Sequence, residues 1–177
     1  GNVLWAQNFG GSGAWALGES LAVDGSGNPY LGGIFQSANL TTPALTKIGY
    51  TDAFVLKLDA GTGIISTSSH YWSLRMGNAQ LMASAVDGLG NVYVAGNFDI
   101  LSFSLGGSTL TRLGAADAFV AKIDSGGNVL WAQNVGSDRG QIIEDVRFDL
   151  RGVMISREDD THELAMLLGE RDERFGV

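Results

Sequence analysis

The same eight residues, GNVLWAQN, occur twice in this chain, at Gly1–Asn8 and again at Gly127–Asn134. Longer segments also recur. LAVDGSGNPYLGG at Leu21–Gly33 is similar to SAVDGLGNVYVAG at Ser84–Gly96, and their aspartates lie 63 residues apart. Recurrence at a fixed spacing constrains the fold strongly, because each copy must build the same structural unit and stack on its neighbours.

A second segment recurs in the same order. DAFVLKLDAGTG at Asp52–Gly63 matches DAFVAKIDSGGN at Asp117–Asn128, 65 residues later. A third, more divergent copy of the unit begins with EDVRFDLRGVMIS at Glu144–Ser156. The period is therefore about 62–65 residues, and the repeated octet marks the end of a unit.

Each unit has the pattern of two hairpins. Apolar segments flank a glycine-rich turn in each half, which predicts four antiparallel strands per unit. The 26 glycines and only 2 prolines fit a chain of tight turns. Four-stranded units in series predict an all-β fold of β-propeller blades, with about 2.5–3 blades in this chain. The long connection between the hairpins is expected to carry an extra strand or an edge ribbon.

These repeated segments resemble a known family. The phrases AVDGxGNxYxxG and DAFVxKxDxxGxxxWAQ are similar to those of the SBBP family, the β-propeller repeats of bacterial secreted and surface proteins. The resemblance covers roughly residues 1–157. It implies propeller blades and an extracellular or cell-surface location, and it brings no shared catalytic residues.

The repeat divides the chain into successive parts. Residues 1–13 are predicted to end one blade, 14–77 and 78–137 to form two blades, and 138–157 to begin a partial blade. Residues 158–177 are predicted to be a charged tail that completes the last blade.

Two structures are open for this tail. Residues 138–177 hold 11 of the 19 acidic residues. In one prediction, ELAMLLGE at Glu163–Glu170 forms the third strand of the last blade. In the other, Asp160 caps a short helix with Glu163 as its capping-box partner and Leu164–Leu168 as its body.

The number of blades raises the question of closure, because propellers have 4–8 blades. The sequence can be a fragment of a larger parent chain. Alternatively, it is a protomer whose leading octet supplies the fourth strand of a last blade, so that two chains of three blades close a six-bladed ring. Sheet edges and faces left open at either end favour homo-oligomers or aggregation.

The hairpin turns contain oxygen ligands at alternating positions, as calcium loops do. These are Asp24 and Asn28 in the first copy, and Asp87 and Asn91 in the second. Neither turn has the acidic twelfth residue of a full calcium loop. Asp and Asn are also the ordinary residues of turns, so calcium is the weaker interpretation and no other cofactor is expected.

Aromatic residues fall into two groups. Trp5 and Trp131 lie in the repeated octet and are expected to pack between blades. Trp15, Tyr50 and Trp72 are expected in or near loops, where exposed aromatic rings bind ligands. These three are the candidate ligand-binding residues.

Other partner and site classes are disfavoured. A formal net charge of −8 argues against nucleic acid, and no apolar run is long enough for membrane insertion. The chain has no cysteine for a thiolate site. His162 and Glu163 lie in HELAM, which lacks the second histidine of a zinc helix. Asp52 and Asp117 recur at the starts of equivalent strands and are expected to be structural.

Three functions remain open. The first is a non-catalytic extracellular module that acts as a scaffold or adhesion surface for a glycan or a protein. The second is a carbohydrate-active enzyme domain, a glycoside hydrolase or lyase, whose carboxylates would converge near the ring centre. The third is a structural subunit of a surface filament or array.

Overall fold

The computed structural model describes residues 1–36, 38–41, 44–64, 73–77, 79–135, 143–149, 152–157 and 164–166. These residues form strands joined by turns and loops, and none of them is helical. The strands, in chain order, are β1 (Trp15–Val23), β2 (Pro29–Gln36), β3 (Leu40–Thr41), β4 (Ala44–Leu45), β5 (Thr51–Lys57), β6 (Ser73–Gly77), β7 (Gln80–Val86), β8 (Val92–Phe98), β9 (Ser102–Leu105), β10 (Ser108–Thr111), β11 (Asp117–Ile123), β12 (Val129–Val135), β13 (Ile143–Asp149), β14 (Gly152–Arg157) and β15 (Leu164–Met166). The fold is all-β, as the sequence predicts.

The strands form three main antiparallel sheets in chain order. Sheet I has the order β1-β2-β5-β6, sheet II has the order β7-β8-β11-β12, and sheet III has the order β13-β14-β15. Two small ribbons, β3-β4 and β9-β10, lie in the connections between the second and third strands of sheets I and II. The expected edge ribbon is therefore present in both copies.

The first strand of each sheet has an irregularity at the same repeat position. The pairing skips Glu19 between β1 and β2, Met82 between β7 and β8, and Glu144 between β13 and β14. A bulge of this kind bends and twists the strand locally. The first two strands of the three sheets therefore share one backbone irregularity, although the third copy has diverged in sequence.

The sheets pack face to face in sequence order. One apolar cluster between sheets I and II contains Tyr30 and Val55 from the first sheet and Leu81 and Val94 from the second. Phe103 of the second ribbon adds an edge-on contact to Phe119, with ring centroids 5.4 Å apart. On the far side of sheet II, β13 packs against β7 and β8. Much of the buried core thus lies between sheets, where large apolar side chains leave water. A further cluster, with Phe35 and Leu56, lies on the face of sheet I that points away from sheet II.

Two sequence predictions fall near the ends of the chain. Leu164–Met166 pairs with β14 as a strand, so at these three residues the strand alternative is found and the helix alternative is not. The rest of the predicted tail, 158–163 and 167–177, lies outside the described residues. The octet Gly1–Asn8 belongs to no strand, whereas its copy forms most of β12.

Candidate functional site

Trp15 and Tyr50 lie at the same end of sheet I. Trp15 pairs with Gln36, and Gln36 pairs with Thr51, so these residues form one row across three strands. Tyr50 precedes Thr51 directly. Trp15 is 46% exposed and Tyr50 is 81% exposed, which leaves both rings accessible to a ligand. The third candidate, Trp72, lies outside the described residues.

A buried carboxylate fixes the loop that carries Tyr50. Asp52 is fully buried, and its two oxygens accept hydrogen bonds from the backbone N–H groups of Ile48 and Gly49 at 2.6 and 2.7 Å. The Lys47 amine lies 6.0 Å from the centre of the Tyr50 ring, within cation–π range, and donates to the carbonyl of Gly49. Tyr50 therefore projects from an ordered loop.

Sheet II repeats this loop. Asp117 is also fully buried and accepts from the N–H groups of Leu113 and Gly114, at 2.6 and 3.1 Å. Arg112 takes the place of Lys47 and donates to the carbonyls of Asp99 and Ala115. The recurrent aspartates are thus bonded to backbone in both copies, as a structural role requires.

The two loops also present aliphatic residues that the sequence analysis did not select. Ile48 is 62% exposed and its counterpart Leu113 is 65% exposed. A signal was available, because aligning the two DAFV segments places KIGYTD over RLGAAD, with an aliphatic residue before glycine in both. The candidate ligand surface is defined here as Trp15, Ile48, Tyr50 and Leu113.

The glycine-rich turns lie at the opposite ends of the sheets. In the first turn, Asp24 Oδ1 accepts from the N–H groups of Ser26 and Asn28, both at 2.9 Å, and Oδ2 accepts from Asn28 Nδ2 at 3.0 Å. Asp87 and Asn91 repeat this arrangement. Each aspartate uses both oxygens to form its own turn, the arrangement that Asp and Asn adopt in turns generally.

These turn bonds change the acidity of the carboxyl groups. Burial raises the pKa of Asp24 and of Asp87, but hydrogen bonds from the asparagine side chain and from backbone N–H groups together outweigh it, so each pKa is lowered. At Asp124, hydrogen bonds from Asn128 lower the pKa. All three turns therefore favour the ionised carboxylate.

A tyrosine and a lysine accompany each of the first two turns. Burial raises the pKa of Tyr30, and the nearby carboxylates add to the effect. Burial also raises the pKa of Tyr93, where Lys122 opposes the shift and Asp87 adds to it. The amine of Lys57 lies 5.3 Å from the centre of the Tyr30 ring. Lys122 lies 4.9 Å from the centre of the Tyr93 ring and 3.7 Å from Asp87 Oδ2. Both tyrosines are held neutral beside a cation.

The described part of the chain contains no cluster of side chains that supports metal binding. No group of three or more His, Cys, Asp or Glu side chains there is arranged to hold a metal ion. Calcium at Asp24, Asn28, Asp87 and Asn91 stays a prediction, and His162 and Glu163 lie outside the described residues. Among the residues described, no helix has the length and apolarity needed to cross a bilayer.

Comparison with known proteins adds no family. No protein-family model matches the chain, and no curated protein sequence matches it.

Proposed function

We propose that this chain is a β-propeller module and that sheets I, II and III are consecutive blades. We propose further that it serves as a non-catalytic scaffold or adhesion surface, outside the cell or on its surface, for a glycan or a protein. The SBBP-like segments of the sequence suggest the same class.

The repeated packing of the sheets is the observation that carries this proposal. The first strands of the three sheets contact one another in series, since β7 packs against both β1 and β13. The side of sheet II that faces sheet I carries Val94 and Ala121, and the side that faces sheet III carries Tyr93 and Val120. Similar units that stack on their neighbours in chain order are what a series of propeller blades requires, so this packing supports the proposal.

The use of the recurrent acidic residues supports a non-catalytic role. Asp24, Asp87 and Asp124 bond within their own turns, and the buried Asp52 and Asp117 bond to loop backbone. A glycosidase needs two carboxyl groups about 5–10 Å apart that face the substrate. The recurrent aspartates instead organise turns and loops, so they favour the scaffold over the enzyme alternative.

The candidate ligand surface supports binding at one end of the blades. Exposed aromatic rings supply flat apolar faces at low entropic cost, and loops on a rigid scaffold are common binding sites. Ile48 and Leu113 extend this apolar character from sheet I to sheet II. A sugar ring, or an apolar patch of a protein, fits such a surface.

Binding of the intact chain to an array of bacterial and host glycans tests the proposal. For any ligand found, we expect Tyr50→Ala to weaken binding at least about tenfold, a loss of about 1.4 kcal/mol. The matched control is Leu89→Ala, because Leu89 is 84% exposed on a turn at the opposite end of the blades. A ligand whose binding falls with Leu89→Ala and not with Tyr50→Ala contradicts this surface. Cleavage of the bound glycan would favour the enzyme alternative.

A further inference from the structure

The outer face of sheet I, on the side away from sheet II, is only partly covered. Cross-strand partners share a face of a sheet, and Leu21, Leu31 and Leu56 form one such row here. Leu56 is fully buried, whereas Leu21 is 65% exposed and Val23, two residues further along β1, is 57% exposed. The uncovered part of this outer face is therefore the part on the first strand.

The corresponding face of sheet II shows what such a face binds. The residues of sheet II that match Leu31 and Leu56 are Val94 and Ala121. Both are fully buried in the cluster between sheets I and II. This face in the second repeat is thus covered by a sheet of the same kind.

The N-terminal octet already lies at the position of a neighbouring sheet. Trp5 Nε1 donates to the carbonyl of Ala60 at 2.9 Å, and Gln7 Nε2 donates to that of Thr62 at 3.1 Å. The counterpart of Ala60 in sheet II is Ser125, whose carbonyl accepts from Lys57 of sheet I at 3.2 Å. Trp5 therefore binds a carbonyl that the repeat uses for contact between sheets.

The octet and sheet III are complementary. Sheets I and II have four strands, whereas the described part of sheet III has three, with β15 at its edge. The copy of the octet in sheet II forms most of the fourth strand, β12, beside β11. The octet thus has the sequence of a fourth strand but is not paired in a sheet. Sheet III, in turn, has no fourth strand among its described residues.

We propose that sheet III of a second copy of this chain packs on the outer face of sheet I, and that Gly1–Asn8 pairs with β15 of that copy. The inference rests on the proposed propeller fold. Sheet III of the same chain is separated from this face by sheet II, and a ring of three blades falls below the 4–8 blades of propellers. A second copy of this chain offers such a sheet III, with β15 at the edge of its described strands, and two copies joined reciprocally would bring the number of blades to six.

The mass of the intact chain tests this inference. We expect light scattering after size exclusion to give a dimer at about 50 μM, and Leu21→Arg to give a monomer, because it buries a charge in the interface. Leu101→Arg is the matched control, since Leu101 is 73% exposed on the connection to the second ribbon. The inference is overturned if the wild-type chain is a monomer or if Leu21→Arg remains a dimer. It is also overturned if Leu101→Arg loses the dimer to the same extent as Leu21→Arg.

Cysteine cross-linking tests the strand pairing, and the absence of native cysteine gives a clean background. In sheet III, Val153 pairs with Met166, and in sheet II the equivalent Val92 pairs with Ile123. Counting two residues back along each third strand places Leu164 at the position of Ala121. Ala121 pairs with Ala132, whose counterpart in the octet is Ala6.

We therefore expect an Ala6→Cys chain mixed with a Leu164→Cys chain to form a disulfide between chains on oxidation, and Ala6→Cys with Leu101→Cys to form none. A doubly substituted chain that closes only an internal disulfide overturns the choice of a second copy. Glycan binding through Tyr50 is measured separately, so a monomer that still binds its ligand leaves the proposed function intact.

Discussion

Gly33 and Gly96 are equivalent residues with no room for a side chain. A Cβ at Gly96 would lie 2.0 Å from the carbonyl oxygen of Gln80 and 2.8 Å from the Phe119 ring. At Gly33 the same atom would lie 2.1 Å from the carbonyl oxygen of Leu17. The two carbonyl contacts are with the neighbouring first strand near its bulge, so glycine at this position allows the bulge to form.

We expect Gly96→Ala to lower the free energy of unfolding by about 1–3 kcal/mol, because backbone and a packed ring must both move. Gly88→Ala is the matched control, since no atom lies within 4 Å of a Cβ at Gly88. Urea denaturation of both variants measures the difference. Equal stabilities would contradict the close approach at Gly96.

Asp87 makes stability depend on pH. Its pKa is lowered in the folded chain, so its contribution is fully present above the ordinary value of 3.8 and is lost as pH falls through the lower folded pKa. We expect Asp87→Asn to cost about 1–2 kcal/mol at pH 7, and wild type and variant to converge in acid below pH 3.8.

Urea denaturation of both proteins between pH 2 and pH 7 measures this convergence. The control is Asp99→Asn, which changes the same charge at a residue on the exposed loop after β8. A constant difference across the pH range would show that the ionised form of Asp87 is not what stabilises the turn.

At the scale of elements, side chains at the ends of two strands of sheet I donate hydrogen bonds to the turns of sheet II. Tyr30 Oη donates to the carbonyl of Gly90 at 3.2 Å, and Lys57 Nζ donates to that of Ser125 at 3.2 Å. Lys57 is buried, so its amine is removed from water in this position. Apolar packing holds the sheets together, and these directional bonds fix how their turns align.

We expect Lys57→Met to lower the free energy of unfolding by about 1–2 kcal/mol and to speed amide exchange in the turn at Asp124–Asn128. Lys122→Met is the control, because the Lys122 amine lies beside Asp87 of its own sheet. We expect Lys122→Met to speed amide exchange in the Asp87–Asn91 turn instead. Identical exchange patterns in the two variants would contradict a bond between sheets at Lys57.

The octet shows where prediction from sequence reaches its limit. Six of the eight residues lie in β12 in one copy, whereas none lies in a strand in the other, so local propensity cannot distinguish the two copies. The difference is the partner, because β12 has β11 beside it. Strand structure depends on a neighbouring strand, which a propensity argument does not contain. Likewise, Leu164–Met166 is a strand and not a helix because it pairs with β14.

The sequence predicted part of the candidate ligand surface. Trp15 and Tyr50 were selected as aromatic residues expected in or near loops. Trp15 is the first residue of β1 and Tyr50 lies just before β5, and the two residues lie at one end of sheet I. The exposure of Ile48 and Leu113 did not follow. It depends on hydrogen bonds from their own N–H groups to an aspartate four residues later, which turn the loop backbone. Apolar residues beside a strand are otherwise expected in the core.

At the scale of the molecule, the described residues form a stack in which sheet II packs against sheet I on one side and sheet III on the other. The cluster between sheets I and II draws residues from both sheets and from the second ribbon. Neither sheet I nor sheet II can unfold without exposing the apolar surface of the other. In a stack of this kind, the interfaces between units determine cooperativity.

We therefore expect sheets I and II to unfold in a single transition. Trp15 lies in sheet I and Trp131 in sheet II, so fluorotryptophan labels at these residues report separately on the two sheets. In a urea titration followed by fluorine NMR, their native resonances should disappear with the same midpoint and the same slope. Loss of the Trp15 signal while that of Trp131 persists would mean that the shared cluster contributes less than the packing within each sheet. Leu81→Ala removes a fully buried side chain from the shared cluster and should lower both midpoints together. We expect it to lower the free energy of unfolding of the two sheets, as one unit, by about 2–5 kcal/mol.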